Sequence, residues 1–132
     1  MQQTFLLFLV ITFLTACVDQ RAVMTTSFPA KAKAQANVRA GLNYLQKSDF
    51  VSAQQALEMA LKQAPYDPNV LAAIAVYYEK SGEPGIAGQY YAKAVLINPQ
   101  SKIARRNYAN YLSRCGYYQE AAFYSANLPK YR

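Results

Sequence analysis

Side chains able to do covalent or acid–base chemistry are sparse in this chain. There is no histidine among its 132 residues. That excludes Ser-His-Asp and Cys-His catalysis, histidine-ligated metals and histidine proton transfer. The two cysteines, Cys17 and Cys115, are too few for a four-cysteine zinc site. What remains is seven Asp and Glu, with tyrosines and lysines. No carboxylate pair, Gly-rich phosphate loop or nucleophile elbow organises them. No catalytic residue, metal ligand, cofactor or small-molecule substrate is expected, and the chain does not read as an enzyme. The side chain in the most telling context is Cys17, a thiol placed directly behind an apolar run.

That run, Phe5 to Ala16, reads F-L-L-F-L-V-I-T-F-L-T-A, twelve residues without a charge. A bilayer-spanning helix needs about 20 apolar residues, whereas this length fits a signal-peptide core. Leu14-Thr15-Ala16-Cys17 resembles the bacterial lipobox. The resemblance implies cleavage before Cys17 and transfer of a diacylglyceryl group to its thiol. One acyl chain binds a membrane marginally and several anchor stably. A mature lipoprotein carries several (palmitate among them), so Cys17 becomes the membrane anchor. By the sorting rules of such lipoproteins, Val18 after the cysteine, with Asp19 one place later, implies the outer membrane, facing the periplasm. The competing readings are an ordinary secretory signal with an incidental cysteine and a buried N-terminal helix. Residues 1–16 are thus read as signal peptide and 17–33 as lipidated cysteine and tether. Fully extended, 16 tether residues reach at most about 55 Å. Lys31 and Lys33 either lean on anionic head groups or lie on a solvated linker.

The elements that follow repeat. Gly41, Tyr44, Ala53, Leu57, Ala60 and Pro65 recur 34 positions later as Ala75, Tyr78, Ala87, Tyr91, Ala94 and Pro99. A second step gives Ala109, Leu112, Ala121, Ser125 and Leu128. Small residues recur where two helices cross closely, large ones where a gap is filled, and proline where the second helix stops. This is the pattern of the tetratricopeptide repeat, a helix–turn–helix of 34 residues. Ser48, Gly82 and Gly116 share the position between the two helices, where such residues end a helix. Asp67-Pro68 and Ser101 are N-terminal signals. The expected fold is an all-α solenoid of about three repeats, 34–67, 68–101 and 102–132, without strands. Its helices span about 35–47, 50–63, 68–81, 84–97, 102–114 and 118–128.

In such solenoids the first helices line a groove. The repeat register assigns Gln35, Val38, Leu42, Leu45 and Gln46 to it, then Asn69, Ala72, Val76, Glu79 and Lys80, then Ile103, Arg106, Asn110, Ser113 and Arg114. Val38, Leu42 and Val76 make one end apolar. Arg106, Asn110 and Arg114 make the other polar, suited to holding an extended peptide by its backbone and carboxylates. Alternatively, the apolar three pack against a neighbouring helix or the tether. The basic and Asn residues that a chaperone-peptide clamp needs in the first repeat are absent.

Among the tyrosine doublets, Tyr78 and Tyr91 fall on core positions. Tyr118 is expected there too, while Tyr77, Tyr90 and Tyr117 are freer. Lys and Arg total 14, giving a net charge of +7. Lys102, Arg105, Arg106 and Arg114 cluster in one helix. Behind a signal peptide this surface does not meet nucleic acid. It meets an acidic protein, lipopolysaccharide or phospholipid head groups, or is a solvated face. With Cys17 acylated, Cys115 is a free thiol, expected to be buried, with an intermolecular disulfide as the alternative.

Three stretches, GLNYLQKSDFVSAQQALEMALKQAP, YEKSGEPGIAGQYYAKAVLINP and NYANYLSRCGYYQEA, resemble the PilF/PilW family of type IV pilus biogenesis lipoproteins. Gly82-Glu83-Pro84 with Ala87, Tyr91, Lys93 and Ala94 carries the likeness, as does Asn107-Tyr108 with Leu112, Gly116, Tyr118 and Glu120-Ala121. The lipobox lies where that family has one. The resemblance implies a pilotin, an outer-membrane lipoprotein scaffold that binds a secretin and aids its localisation or assembly. The alternative is a general periplasmic repeat scaffold for envelope or other pilus assembly. Members of the family are longer, with further repeats, so a short form is expected here. Its last helix carries Ala121, Ala122, Phe123, Tyr124 and Ala126 but one charge, Glu120. An exposed, partner-binding aromatic strip at Phe123 and Tyr124 is the consequence.

Overall fold

The computed structural model describes residues 28–126; the signal segment, Cys17, most of the tether, Leu128 and Pro129 lie outside the described residues. Among the described residues six helices follow one another: α1 Phe28–Gln46, α2 Phe50–Gln63, α3 Pro68–Lys80, α4 Pro84–Ile97, α5 Lys102–Arg114 and α6 Tyr118–Ala126. No strand occurs among the described residues. The all-α solenoid of three helix pairs is as expected.

Its turns are built locally, and they repeat. Ser48, Gly82 and Gly116 all have positive φ, at 59°, 89° and 86°. At each, the amide one residue further on donates back across the turn. Asp49 N–H meets Tyr44 O at 3.0 Å, Glu83 N–H meets Tyr78 O at 2.8 Å, and Tyr117 N–H meets Leu112 O at 2.9 Å. This is a Schellman closure, which satisfies carbonyls left open at a helix end. Ser48 is the one that adopts the left-handed region with a Cβ, at a cost of about 1 kcal/mol. Three helices open with a side-chain cap: Asp49 accepts from Ser52 N–H, Asp67 from Asn69 N–H and Ser101 from Ala104 N–H. Each such cap contributes about 1 kcal/mol. The hydrogen bond from Ser52 also holds the Asp49 carboxyl below its ordinary range.

Packing follows from the small-residue positions. Gly41 lets α1 cross α2, because a Cβ there would lie 2.6 Å from Leu57 Cγ. Ala75, Ala109, Ala87 and Ala121 are buried at the corresponding crossings. The central helix α3 buries Val70, Leu71, Ala72, Ala73, Ile74 and Ala75 in succession. It can be apolar all round because α1, α2, α4 and α5 all pack on it. Arg105 ties the last pair together. Its guanidinium donates to Tyr124 O, Phe123 O and Pro99 O, and lies over the Tyr124 ring. It thereby caps the carbonyl end of α6.

Four expectations need correction. Residues 28–33 belong to α1 and are helical rather than tether. Tyr118 is 72% exposed, not core, since the opening residue of the second helix projects away from the crossing. Cys115 is exposed, not buried, because it caps α5 at the surface. Tyr124 is half-buried rather than part of an exposed strip, being packed edge-on to Tyr108 with ring centroids 4.8 Å apart.

Candidate partner-binding face

The odd-numbered helices share one face, and a groove of about 200 Å³ runs across it. Val38 and Leu42 come from α1, Asn69, Ala72, Ala73 and Val76 from α3, and Asn107 from α5. The structure therefore brings together Val38, Leu42 and Val76, as the register predicts. Val38 is buried and belongs to the first core cluster, on which Leu42 and Val76 pack while remaining half-open to the groove. The floor is aliphatic and small, and amides stand at its margins. Such a lining suits an extended segment with modest apolar side chains, its backbone met by Asn69 and Asn107.

The polar end is arranged differently from expectation. Arg114 Nη2 lies 2.8 and 2.9 Å from the two oxygens of Glu79, and Nε lies 3.0 Å from one of them. The Tyr91 hydroxyl donates to the other oxygen at 2.8 Å. Burial, with Glu79 beside it, raises the Tyr91 phenol well above its ordinary value. Arg114 is thus a latch between repeats rather than an uncommitted cation. Arg105 is also engaged, by the carbonyls of α6. Arg106 and Asn110 are exposed on α5. Asn107, which sequence reasoning missed, reaches the groove in their stead. It follows Arg106 by one residue, and a single step of 100° around the helix decides which side chain enters. Phe123 is exposed at 61%, whereas Tyr124 turns inward. Lys80 is exposed, and Gln35 is drawn to Asp67 at 3.2 Å, supporting the start of α3.

A second group of side chains, not expected from the sequence to form a site, gathers around Tyr78, assigned to the core, and Tyr77 and Tyr90, expected to be freer. Tyr78 and Tyr90 stack with centroids 5.7 Å apart, and Tyr77 stands nearly perpendicular to Tyr78 at 5.3 Å. With Gln54, Leu57, Glu58, Leu61 and Ile74 they line a pocket of about 190 Å³ between α2 and α4. Tyr77 and Tyr90 are half-buried, less free than expected, because this stack covers them. The signal available in sequence was Gln54 and Glu58 at a four-residue spacing, one helical turn apart.

No protein-family model matches the chain. Over 119 residues it is 32% identical to the type IV pilus assembly protein PilF of Pseudomonas aeruginosa, which covers 88% of this chain and 47% of PilF. The chain spans about half the length of that curated relative. The solved Pseudomonas aeruginosa PilF structure superposes with a TM-score of 0.68 at 28% identity, over 73% of this chain and 43% of the other. The first tetratricopeptide-repeat domain of Spaghetti (RPAP3), bound to an HSP90 peptide, superposes with a TM-score of 0.63 at 17% identity, over 75% of this chain and 83% of the other, a likeness of fold. Six helices among the described residues, a 34-residue period and this likeness to PilF across most of the chain make it a PilF-like tetratricopeptide-repeat protein.

Proposed function

We propose that the chain is a scaffold in type IV pilus biogenesis, anchored in the outer membrane through lipid on Cys17 and facing the periplasm. In this reading it binds a secretin and aids its localisation or assembly. The groove of Val38, Leu42, Ala72, Ala73 and Val76 between Asn69 and Asn107 is the observation that carries a protein-binding role. Similarity to a type IV pilus assembly protein supports the process, and the lipobox supports the anchor. Arg106, Asn110 and Phe123 extend the partner-facing surface, while Arg114 and Tyr124 contribute through the fold. No helix among the described residues is long and apolar enough to cross a membrane.

Crosslinking in intact membranes, followed by capture of the chain anchored through its own Cys17, tests this. The secretin should be enriched, and Val76→Lys should reduce its recovery while helical circular dichroism is unchanged. Recovery of other envelope proteins without secretin would favour the general periplasmic scaffold instead.

A further inference from the structure

The tyrosine pocket lies on the side of the molecule formed by α2 and α4, away from the groove of the odd-numbered helices. Its chemistry is distinct. The Tyr77 hydroxyl donates to Gln54 Oε1 at 3.3 Å, and Gln54 Nε2 donates to Glu58 Oε1 at 2.9 Å. This relay fixes a carboxylate at the mouth of a pocket walled by three tyrosine rings. Two of those rings are parallel and the third is nearly perpendicular to its neighbour. Three other carboxylates already have work: Asp49 and Asp67 cap helices, and Glu79 holds Arg114. The hydrogen bond from Gln54 leaves Glu58 its second oxygen as an acceptor.

The molecule supplies its own comparison. One repeat further on, Gly85, Gly88, Gln89, Ala92, Tyr108, Tyr111, Leu112, Tyr117 and Glu120 line the corresponding cleft between α4 and α6. There Gly88 stands for Gln54, Ala92 for Glu58 and Tyr111 for Tyr77, each 34 positions later. The relay is gone, and the Tyr111 hydroxyl donates to Pro84 O at 2.6 Å. The second cleft has a carboxylate beside its tyrosines too, Glu120, but it comes from α6 and Gly88 leaves no glutamine at that position to tie it to a tyrosine; what is particular to the first cleft is the relay that holds Glu58.

We propose that the cleft between α2 and α4 is a receptor for an arginine side chain, presented by an exposed segment of a partner protein. Tyrosine faces attract a cation, and a guanidinium stacks flat on them while offering paired N–H groups to a carboxylate. The volume of about 190 Å³ suits one side chain; pockets for drug-sized ligands run to roughly 300–1,000 Å³. This surface is separate from the groove assigned to the secretin, so the two can fail independently.

The probe is acetyl-Gly-Arg-Gly-amide, titrated into the full chain in maltoside detergent and followed by NMR of the tyrosine rings. Saturable shifts at Tyr77, Tyr78 and Tyr90 are expected, with Glu58→Gln weakening binding at least about 10-fold. The citrulline peptide, of the same shape but uncharged, should produce no saturable shift, and the lysine peptide a weaker one. Arg106→Ala should leave the titration unchanged. Equal binding of the citrulline or lysine peptide, equal displacement by phosphocholine, indifference to Glu58→Gln, or shifts confined to the Val38–Val76 groove would each overturn the proposal.

Discussion

Glu79 and Arg114, 35 residues apart in the chain, meet in a two-toothed ion pair that the buried Tyr91 completes from a third helix. The pair is unequal: the Arg114 side chain is 55% exposed and that of Glu79 21%. Arg114→Ala should cost no more than about 1 kcal/mol, because an exposed guanidinium is screened by solvent. Glu79→Ala should cost more, about 1–3 kcal/mol, since it strips the acceptor from a buried phenol. A double-mutant cycle by urea unfolding, with Tyr91→Phe as partner, checks this. Coupling between Glu79 and Tyr91 smaller than that between Glu79 and Arg114 would contradict it.

Alkaline sensitivity follows from two phenols. Burial foremost, with Cys115 and Glu79 nearby, pushes Tyr111 up to about 12, and Tyr91 is raised further by burial and Glu79. Both folded values lie above the ordinary 10.0. Above that value the unfolded state loses its protons first, so stability is full below pH 10 and falls as pH rises toward 12. Urea midpoints measured across this range should decline, and the decline should flatten in Tyr91→Phe and Tyr111→Phe.

The turn residues make a matched test. Ser48→Gly should stabilise by up to about 1 kcal/mol by removing a Cβ from a left-handed position, and Gly82→Ala should destabilise by about 1–2 kcal/mol. Opposite shifts in melting temperature are the expected readout.

Close approach discriminates between glycines. Gly41→Ala forces Leu57 to move and should cost about 1–3 kcal/mol. Gly85 has nothing within 4 Å of a built Cβ, so Gly85→Ala should be neutral or stabilise slightly. Equal effects would mean that α1 and α2 do not cross at Gly41.

The proposed lipidation of Cys17 and the proposed partner contact by Arg106 are separable by readout. Cys17→Ser should abolish labelling by a fatty-acid probe and release the domain from membranes. Arg106→Ala should weaken partner capture by about 1.5–3 kcal/mol with the melting temperature nearly unchanged. A large fall in melting temperature with normal capture would place Arg106 in the fold rather than at the interface.

The helices themselves were legible because their determinants are local. A left-handed residue at 48, 82 and 116, prolines at 68 and 84, and caps at 67 and 101 act within a few residues, and the 34-residue period aligns them. The same register delivers Val38, Leu42 and Val76 to one groove, since position on a regular helix determines face. Where long side chains end was decided by tertiary structure. Arg114 finds Glu79 and Arg105 finds the carbonyls of α6, because partners distant in sequence outcompete solvent once the repeats stack. Tyr77, Gln54 and Glu58 become a relay only when α2 and α3 lie side by side. Cys115 and Tyr118 stay at the surface for the converse reason, as nothing in the described fold packs over the turn that holds them. Composition and period set the backbone path; the contacts between repeats determine which polar groups remain available to a partner.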